Sequence, residues 1–332
     1  MEAEITIGMP LYNERKYIEK TLESVFNQTY QNFELVISDN HSDDGTDEIC
    51  QKYAERDKRV RFFRQKENIG ALENFKFVLD QARTPFFIWL SGHDIWHPQL
   101  LEKLLYSFKK SKDSDLILVF PKVIVPSLNI EYKWLRRWDT SHIGNPIERY
   151  KIILQDLGSF AVYGLWKTEA LRKIKFRKTI VSDALILASA SLIGKFKIEE
   201  EAIFYRTINH PPMNRKSILI RQIKNLYPKN KIYEVAENIT SQKYRDFVYS
   251  LILAFELMKF ILGSVKICLS ADKLNKNITQ KEKIYLALWS ILSIPYFLHL
   301  FRYPENKYLQ VYGKLFESLY KIKRFIYQRW EK

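Results

Sequence analysis

The chain has 332 residues, 46% hydrophobic and 14% aromatic, which excludes a disordered protein and allows one large domain with an appendage or two modest ones. Its two cysteines, Cys50 and Cys268, lie far apart, which excludes a disulfide framework or a zinc cluster and fits a reducing compartment. The net charge of +15 is uneven, with +2 over residues 1–210 and +13 over residues 211–332, so the last third is expected to meet an anionic partner and to do a different job from the rest.

The sequence opens directly into a strand, MEAEITIGMP, with no basic-then-apolar leader, so a signal peptide is not expected and a cytoplasmic location is. Strand and helix then alternate. Apolar runs at 5–9, 33–38, 60–64 and 86–91 read as strands, and periodic stretches at 15–27, 46–56, 70–81 and 99–110 read as helices. Short connections between such elements predict a parallel sheet with helices on both faces.

Three polar loops follow the carboxyl ends of predicted strands: Pro10-Leu11-Tyr12-Asn13-Glu14, then residues 39–46 (DNHSDDGT), then Gly92-His93-Asp94. The strand at 60–64 leads to Asn68-Ile69-Gly70 at a helix start, where free amides favour phosphate oxygens. Parallel topology gathers these segments along one edge, the expected ligand crevice. Asp94, delivered there by a buried strand, either holds a divalent cation against phosphate oxygens or caps the following helix. Asp39 either hydrogen-bonds a base or ribose or closes an Asx-turn.

PLYNE at 10–14, SDNHSDDGT at 38–46, NIGALENF at 68–75 and the acidic knot at 92–94 occur in that order. Together they resemble glycosyltransferase family 2, enzymes of the GT-A fold, over about residues 4–210. The resemblance implies an α/β, Rossmann-like, mostly parallel domain over 1–212, followed by a mainly helical basic extension over 213–332. It also implies a nucleotide-sugar donor, with Pro10, Tyr12 and Glu14 around the nucleoside, Asp39 on the base, and Asn68, Gly70 and His93 on the donor side of the crevice. The family's acidic motif is usually Asp-x-Asp or Asp-Asp, and its last Asp holds Mg²⁺ or Mn²⁺ on the diphosphate. Asp94 matches that last position, but Gly92 and His93 stand where another acid is expected. The departure predicts weaker metal affinity or a shift toward metals that accept imidazole.

Residues 115–125 (DLILVFPKVIV) read as a strand broken by Pro121. The loop at 130–143, rich in Trp and Arg (Trp134, Arg136, Arg137, Trp138), either stacks on sugar faces or packs as ordinary surface. Ser182-Asp183 opens an apolar helix over 184–193. Asp183 is either its cap or, as the resemblance implies for an acid 89 residues beyond the metal motif, the base that takes the acceptor hydroxyl proton. A strand at 197–204 ends in Tyr205-Arg206-Thr207-Ile208-Asn209-His210. The resemblance implies Arg206 as a phosphate partner and His210 as a further metal or diphosphate ligand. A loop histidine with no ligand is the competing reading.

The basic region contains an 18-residue run without formal charge, residues 284–301, interrupted by Pro295 and His299. A mixed apolar and cationic segment follows at 308–330. These helices pack on the catalytic domain, lie in an anionic membrane surface, or span it.

The leading expectation is a metal-dependent, inverting glycosyltransferase acting on a glycan or lipid-linked acceptor, peripheral on the inner face of the cytoplasmic membrane. A catalytically decayed scaffold that binds anions or nucleic acid is the alternative. Nucleic acid is not the expected partner, because no recognised motif interrupts the basic region and its charges alternate with long apolar stretches. A sugar-nucleotide pyrophosphorylase is disfavoured by the absence of an early Gly-rich loop followed by a basic residue.

Overall fold

The computed structural model describes residues 2–155, 160–179, 182–208, 221, 224–226, 228, 259, 261–287 and 290. Strand β1 (Ile5–Leu11) lies between β2 (Phe33–Asp39) and β4 (Phe86–Trp89), with β3 (Val60–Arg64) beside β2, all parallel. All seven residues of β1 are buried. A central parallel strand is covered on both faces: the large apolar residues Ile5, Ile7, Met9 and Leu11 alternate with Thr6, Gly8 and Pro10, and all are buried. The covering helices are α1 (Ile18–Phe26), α2 (Thr46–Arg56), α3 (Ala71–Asp80) and α4 (Leu100–Lys110).

Helix α1 starts three residues later than the pattern over 15–27 predicts. The backbone amides of Asn13, Glu14 and Arg15 donate to the side chains of Ser42, Thr46 and Asp44 at 2.8–3.0 Å. The chain is therefore stitched to the second polar loop before it can turn into helix.

The sheet then departs from simple alternation. Its order is β3-β2-β1-β4-β8-β6-β9-β5. Strand β8 (Leu165–Lys167) is antiparallel to both β4 and β6 (Leu116–Val125), and β9 (Lys195–Tyr205) is parallel to β6. Two reversals restore direction, so β6 and β9 run with β1–β4. The short strands β5 (Ile95–Trp96) and β7 (Ile130–Glu131) run against their neighbours β9 and β6. As a result the carboxyl ends of β1, β2, β4 and β9 share one edge.

Pro121 does not break β6. The register against β9 shifts between Pro121 and Lys122, where the missing proline amide leaves no ladder bond to lose.

Beyond β7 come α5 (Pro146–Gln155), α6 (Thr168–Arg172) and α7 (Ser182–Ile193). The apolar helix α7 is almost wholly buried. Buried Arg149 holds its last turn from α5: its guanidinium donates to the carbonyls of Ser191 at 2.8 Å, Ile143 at 3.1 Å and Gly144 at 2.8 Å.

Of the three fates expected for the basic region, packing on the domain is the one that residues 261–287 adopt. Ile267, Cys268, Ala271, Ile278 and Leu286 are buried. The Cys268 thiol donates to Tyr150 Oη at 3.2 Å, and the Asn275 amide donates to the Leu192 carbonyl at 3.0 Å. Among the described residues no helix is long and apolar enough to cross a membrane. Most of the run at 284–301, all of 308–330 and the expected division after residue 212 lie outside the described residues.

Candidate active site

The first two polar loops form one body at the shared edge. Besides the three amides already named, the Asp43 amide donates to Asn13 Oδ1 at 3.1 Å. Asp39 is fully buried. Its carboxylate accepts the Ser42 amide at 3.0 Å and the Ser42 hydroxyl, and Arg64 Nε lies 3.6 Å away. Asp39 thus closes the loop onto Ser42 and is not among the crevice-lining residues, whereas its neighbour Asn40 is.

The amides of Ile69 and Gly70, just before α3 begins at Ala71, are occupied. Asn40 Oδ1 accepts the Ile69 amide and Asn68 Oδ1 accepts the Gly70 amide, both at 2.9 Å, while Asn40 Nδ2 donates to Asn68 Oδ1 at 2.9 Å. Asn68 therefore reaches the crevice as a side chain that organises the loop.

The third segment sets the acid. The apolar run ends at Trp89, two residues earlier than predicted, and Asp94 is followed by β5 rather than by helix. Asp94 is therefore not the cap of α4, whose first residue is Leu100. The β5–β9 pairing of Ile95 with Tyr205 instead brings Asp94 Oδ1 to the Thr207 amide at 2.9 Å. Its other oxygen accepts no hydrogen bond among the described residues. Asp94 is 4% exposed. Burial pushes its pKa up, against the opposing pull of His93, the Thr207 amide and Arg206.

Gly92 and His93 account for the missing acid. A Cβ at Gly92 would lie 2.6 Å from Leu11 Cδ2 and 2.8 Å from Glu14 Cγ, so Glu14 fills the space that a side chain there would need. The Glu14 carboxylate meets His93 Nδ1 at 2.7 Å. Burial alone would lower the His93 pKa. The Glu14 hydrogen bond, with the charges of Asp94 and Glu14, outweighs it and holds the imidazole above its ordinary value. An acid–imidazole pair thus stands where the family motif carries a second carboxylate.

Arg206, at the end of β9, has its guanidinium 4.2 Å from the Phe160 ring centroid and Nη1 3.5 Å from Tyr132 Oη. Its charge is felt by Asp94, His93 and Tyr163. Tyr163 is raised to about 12 by burial, with Asp94 and Asp183 both adding to the shift and a bond to Ser91 at 3.3 Å opposing it. Asp94 and Asp183 are thus both within electrostatic reach of Tyr163. Asp183 sits in the first turn of α7, where its Oδ1 accepts the Ala184 amide at 2.9 Å, a favourable place for negative charge. His210 lies outside the described residues. In the Trp- and Arg-rich loop, Trp138 belongs to the core and Arg136 pairs with Glu200, and neither lines the crevice.

The crevice itself encloses about 540 Å³. Of the residues expected at the site, Pro10, Tyr12, Glu14, Asn68 and His93 line it, and Asp39, Gly70, Asp94, Asp183 and Arg206 do not. Asn40, Asn74, Ser91, Tyr163 and Lys224 also line it and were not predicted. Asn40 directly follows Asp39 and was readable from its place in the loop. Tyr163 and Lys224 arrive through long-range topology that no local pattern announces.

The model of the family described as "Glycosyl transferase family 2" matches residues 6–172. The glycosyltransferase GlyG of Streptococcus pneumoniae is 31% identical over 114 residues, 34% of this chain and 38% of that protein. An uncharacterised glycosyltransferase of Methanocaldococcus jannaschii is 23% identical over 201 residues, 60% of each. TuaG of Bacillus subtilis, a candidate glycosyltransferase of teichuronic acid biosynthesis, is 36% identical over 101 residues, 30% of this chain and 40% of its own length. The matches thus span 38% to 60% of these relatives. Staphylococcus aureus TarS, crystallised with UDP, superposes with a TM-score of 0.52 at 15% identity, covering 87% of each chain; at that identity it shows the fold. The GT-A architecture, the motif order and the family match over half the sequence agree: this chain belongs to glycosyl transferase family 2.

Proposed function

We propose that the protein transfers a sugar from a nucleotide-sugar donor to a hydroxyl of a glycan or lipid-linked acceptor, with inversion at the anomeric carbon, in the synthesis of a surface polysaccharide or glycoconjugate. The observation that carries this reading is Asp94: a buried carboxylate at the strand-end edge, one oxygen fixed by the Thr207 amide and the other without a partner among the described residues. Such a group calls for a cation.

A single carboxylate suits Mg²⁺ or Mn²⁺, which take most of their remaining ligands from substrate phosphates and water. When bound, the cation neutralises the departing diphosphate. His210 is an expected further ligand.

Pro10, Tyr12, Asn40 and Asn68 hold the nucleoside, with Asp39 fixing the turn that presents Asn40. The Glu14–His93 pair flanks the donor, and Arg206 meets its phosphates. Asp183 accepts the acceptor's hydroxyl proton as that oxygen bonds to the anomeric carbon. The carbon–oxygen bond to the diphosphate breaks with its electron pair leaving on the phosphate oxygen.

Support for the substrate class comes from TuaG, named for teichuronic acid biosynthesis, and from TarS, crystallised with UDP-GlcNAc. The basic region and its aromatic-rich segments suit peripheral attachment to an anionic leaflet.

The test is a panel of sugar nucleotides, scored for Mg²⁺- or Mn²⁺-dependent hydrolysis and for thermal stabilisation. At least one donor should raise Tm and be hydrolysed only with metal. Absence of both responses across UDP-, GDP-, CDP- and TDP-sugars would overturn the proposal.

A further inference from the structure

Resting on the donor reading above, we propose that Lys224, Asn225 and Pro228, from the basic C-terminal region, form one wall of the donor crevice, and that Lys224 is a cation for the donor's diphosphate. These three residues line the same crevice as Glu14, Asn68 and His93, although they come 131 to 214 residues later in the chain.

The wall has its own docking point. Gly70, with φ +89°, would bring an added Cβ to 2.9 Å from the Leu226 carbonyl oxygen and 3.6 Å from that of Asn225. Only a residue without a side chain lets these backbones meet, and φ in the left-handed half of the map favours glycine independently. Leu226 is 7% exposed and belongs to the hydrophobic core, so the segment is anchored by burial as well as by backbone contact.

The charges point the same way. The acidic motif has lost one carboxylate at Gly92, and Glu14 is engaged with His93. The protein thus offers a bridging cation less than its relatives do, and the diphosphate's charge must be met by other groups. Arg206 lies within electrostatic reach of Asp94 and His93. Arg221, from the same C-terminal stretch as Lys224, comes close enough that burial and the Arg206 charge together press its pKa down. Like charges held together in a part-buried place are unfavourable until an anion joins them.

The experiment uses the full chain with UDP, GDP, CDP and ADP in Mg²⁺, measured by titration calorimetry. The tightest-binding nucleotide is then taken to Lys224→Met and to Lys266→Met, an exposed lysine outside the crevice. Lys224→Met should weaken it about tenfold, as loss of a hydrogen bond to a charged partner does, with unchanged circular dichroism. Lys266→Met should bind within about twofold of wild type. Gly70→Ala should weaken binding as well; should that variant not fold, Lys224→Met decides alone. Wild-type affinity in Lys224→Met, or an equal loss in Lys266→Met, overturns the wall assignment and leaves the donor site standing. Failure of the wild type to bind any of the four removes both.

Discussion

Replacing Gly92 by aspartate would restore the acid that the family motif carries, and the packing here opposes it. The new Cβ would sit 2.6 Å from Leu11 Cδ2 and 2.8 Å and 2.9 Å from Glu14 Cγ and Cβ, closer than real side chains approach. Overpacking of that kind costs about 1–3 kcal/mol. Displacing Glu14 also breaks its 2.7 Å bond to His93, and a hydrogen bond between charged groups contributes about 1.5–3 kcal/mol. Gly92→Asp should therefore destabilise by about 3–5 kcal/mol. In a Glu14→Ala background the Cγ contact is gone and the His93 bond is already lost, so the same change should cost only about 1–3 kcal/mol. The resulting coupling of about 2 kcal/mol is well above the scatter of independent sites. Urea unfolding of the four proteins measures it, with midpoints compared at equal m values. Additivity within about 0.5 kcal/mol would show that Glu14 does not occupy the missing acid's place.

Asp94→Asn and Asp183→Asn should each abolish transfer while Tm stays within a few degrees of wild type; a normal rate in Asp183→Asn with the true donor and acceptor removes the base assignment. Arg149→Met strands the carbonyls of Ile143, Gly144 and Ser191 and should destabilise by about 3 kcal/mol, read from the urea midpoint; an unchanged midpoint would mean that α7 is held elsewhere. The hydrogen bond from Arg59, opposed by burial, depresses the Asp57 pKa. Its stabilisation is therefore complete above the usual carboxylate range and lost as pH falls through the depressed value. The advantage of wild type over Asp57→Asn in urea midpoint should thus shrink from about pH 6 to about pH 3, and a constant gap would refute the pair's role.

The parallel half of the sheet was legible because its strands are short β-branched and aromatic segments separated by helical periodicity and polar loops, from Ile-Thr-Ile in β1 to Phe-Phe-Ile-Trp in β4. What the pattern could not show was direction. Three residues, Leu165–Lys167, suffice to insert a reversed strand between β4 and β6, and nothing in Leu-Trp-Lys marks it. The same limit hid β5. Asp94 followed by Ile95-Trp96 reads as well for a helix approach as for a strand, and only pairing with Tyr205 and Phe204 decides it. For the site, residue type located Glu14, Asn68 and His93 because polar groups after buried strands are few. It could not separate the two roles of Asp39, since an aspartate beside Ser42 satisfies a turn and a ligand equally well until burial is known.

The basic C-terminal region has to be judged at two distances. At physiological salt a charge is screened over about 8 Å, so most of its +13 acts on whatever surface the region meets and contributes little inside the crevice. Lys224 differs because it lines the crevice and so stands within a screening length of whatever binds there. Under the proposed donor reading, the Glu14–His93 pair in place of a motif carboxylate, Lys224 in the crevice wall and Arg221 beside Arg206 serve one end. A site that grips its bridging cation with fewer acids gains most from positive side chains placed directly on the phosphates. Net charge on the C-terminal helices and specific charge at the donor are separable quantities, and a substitution at Lys224 should change the second while leaving the first almost untouched.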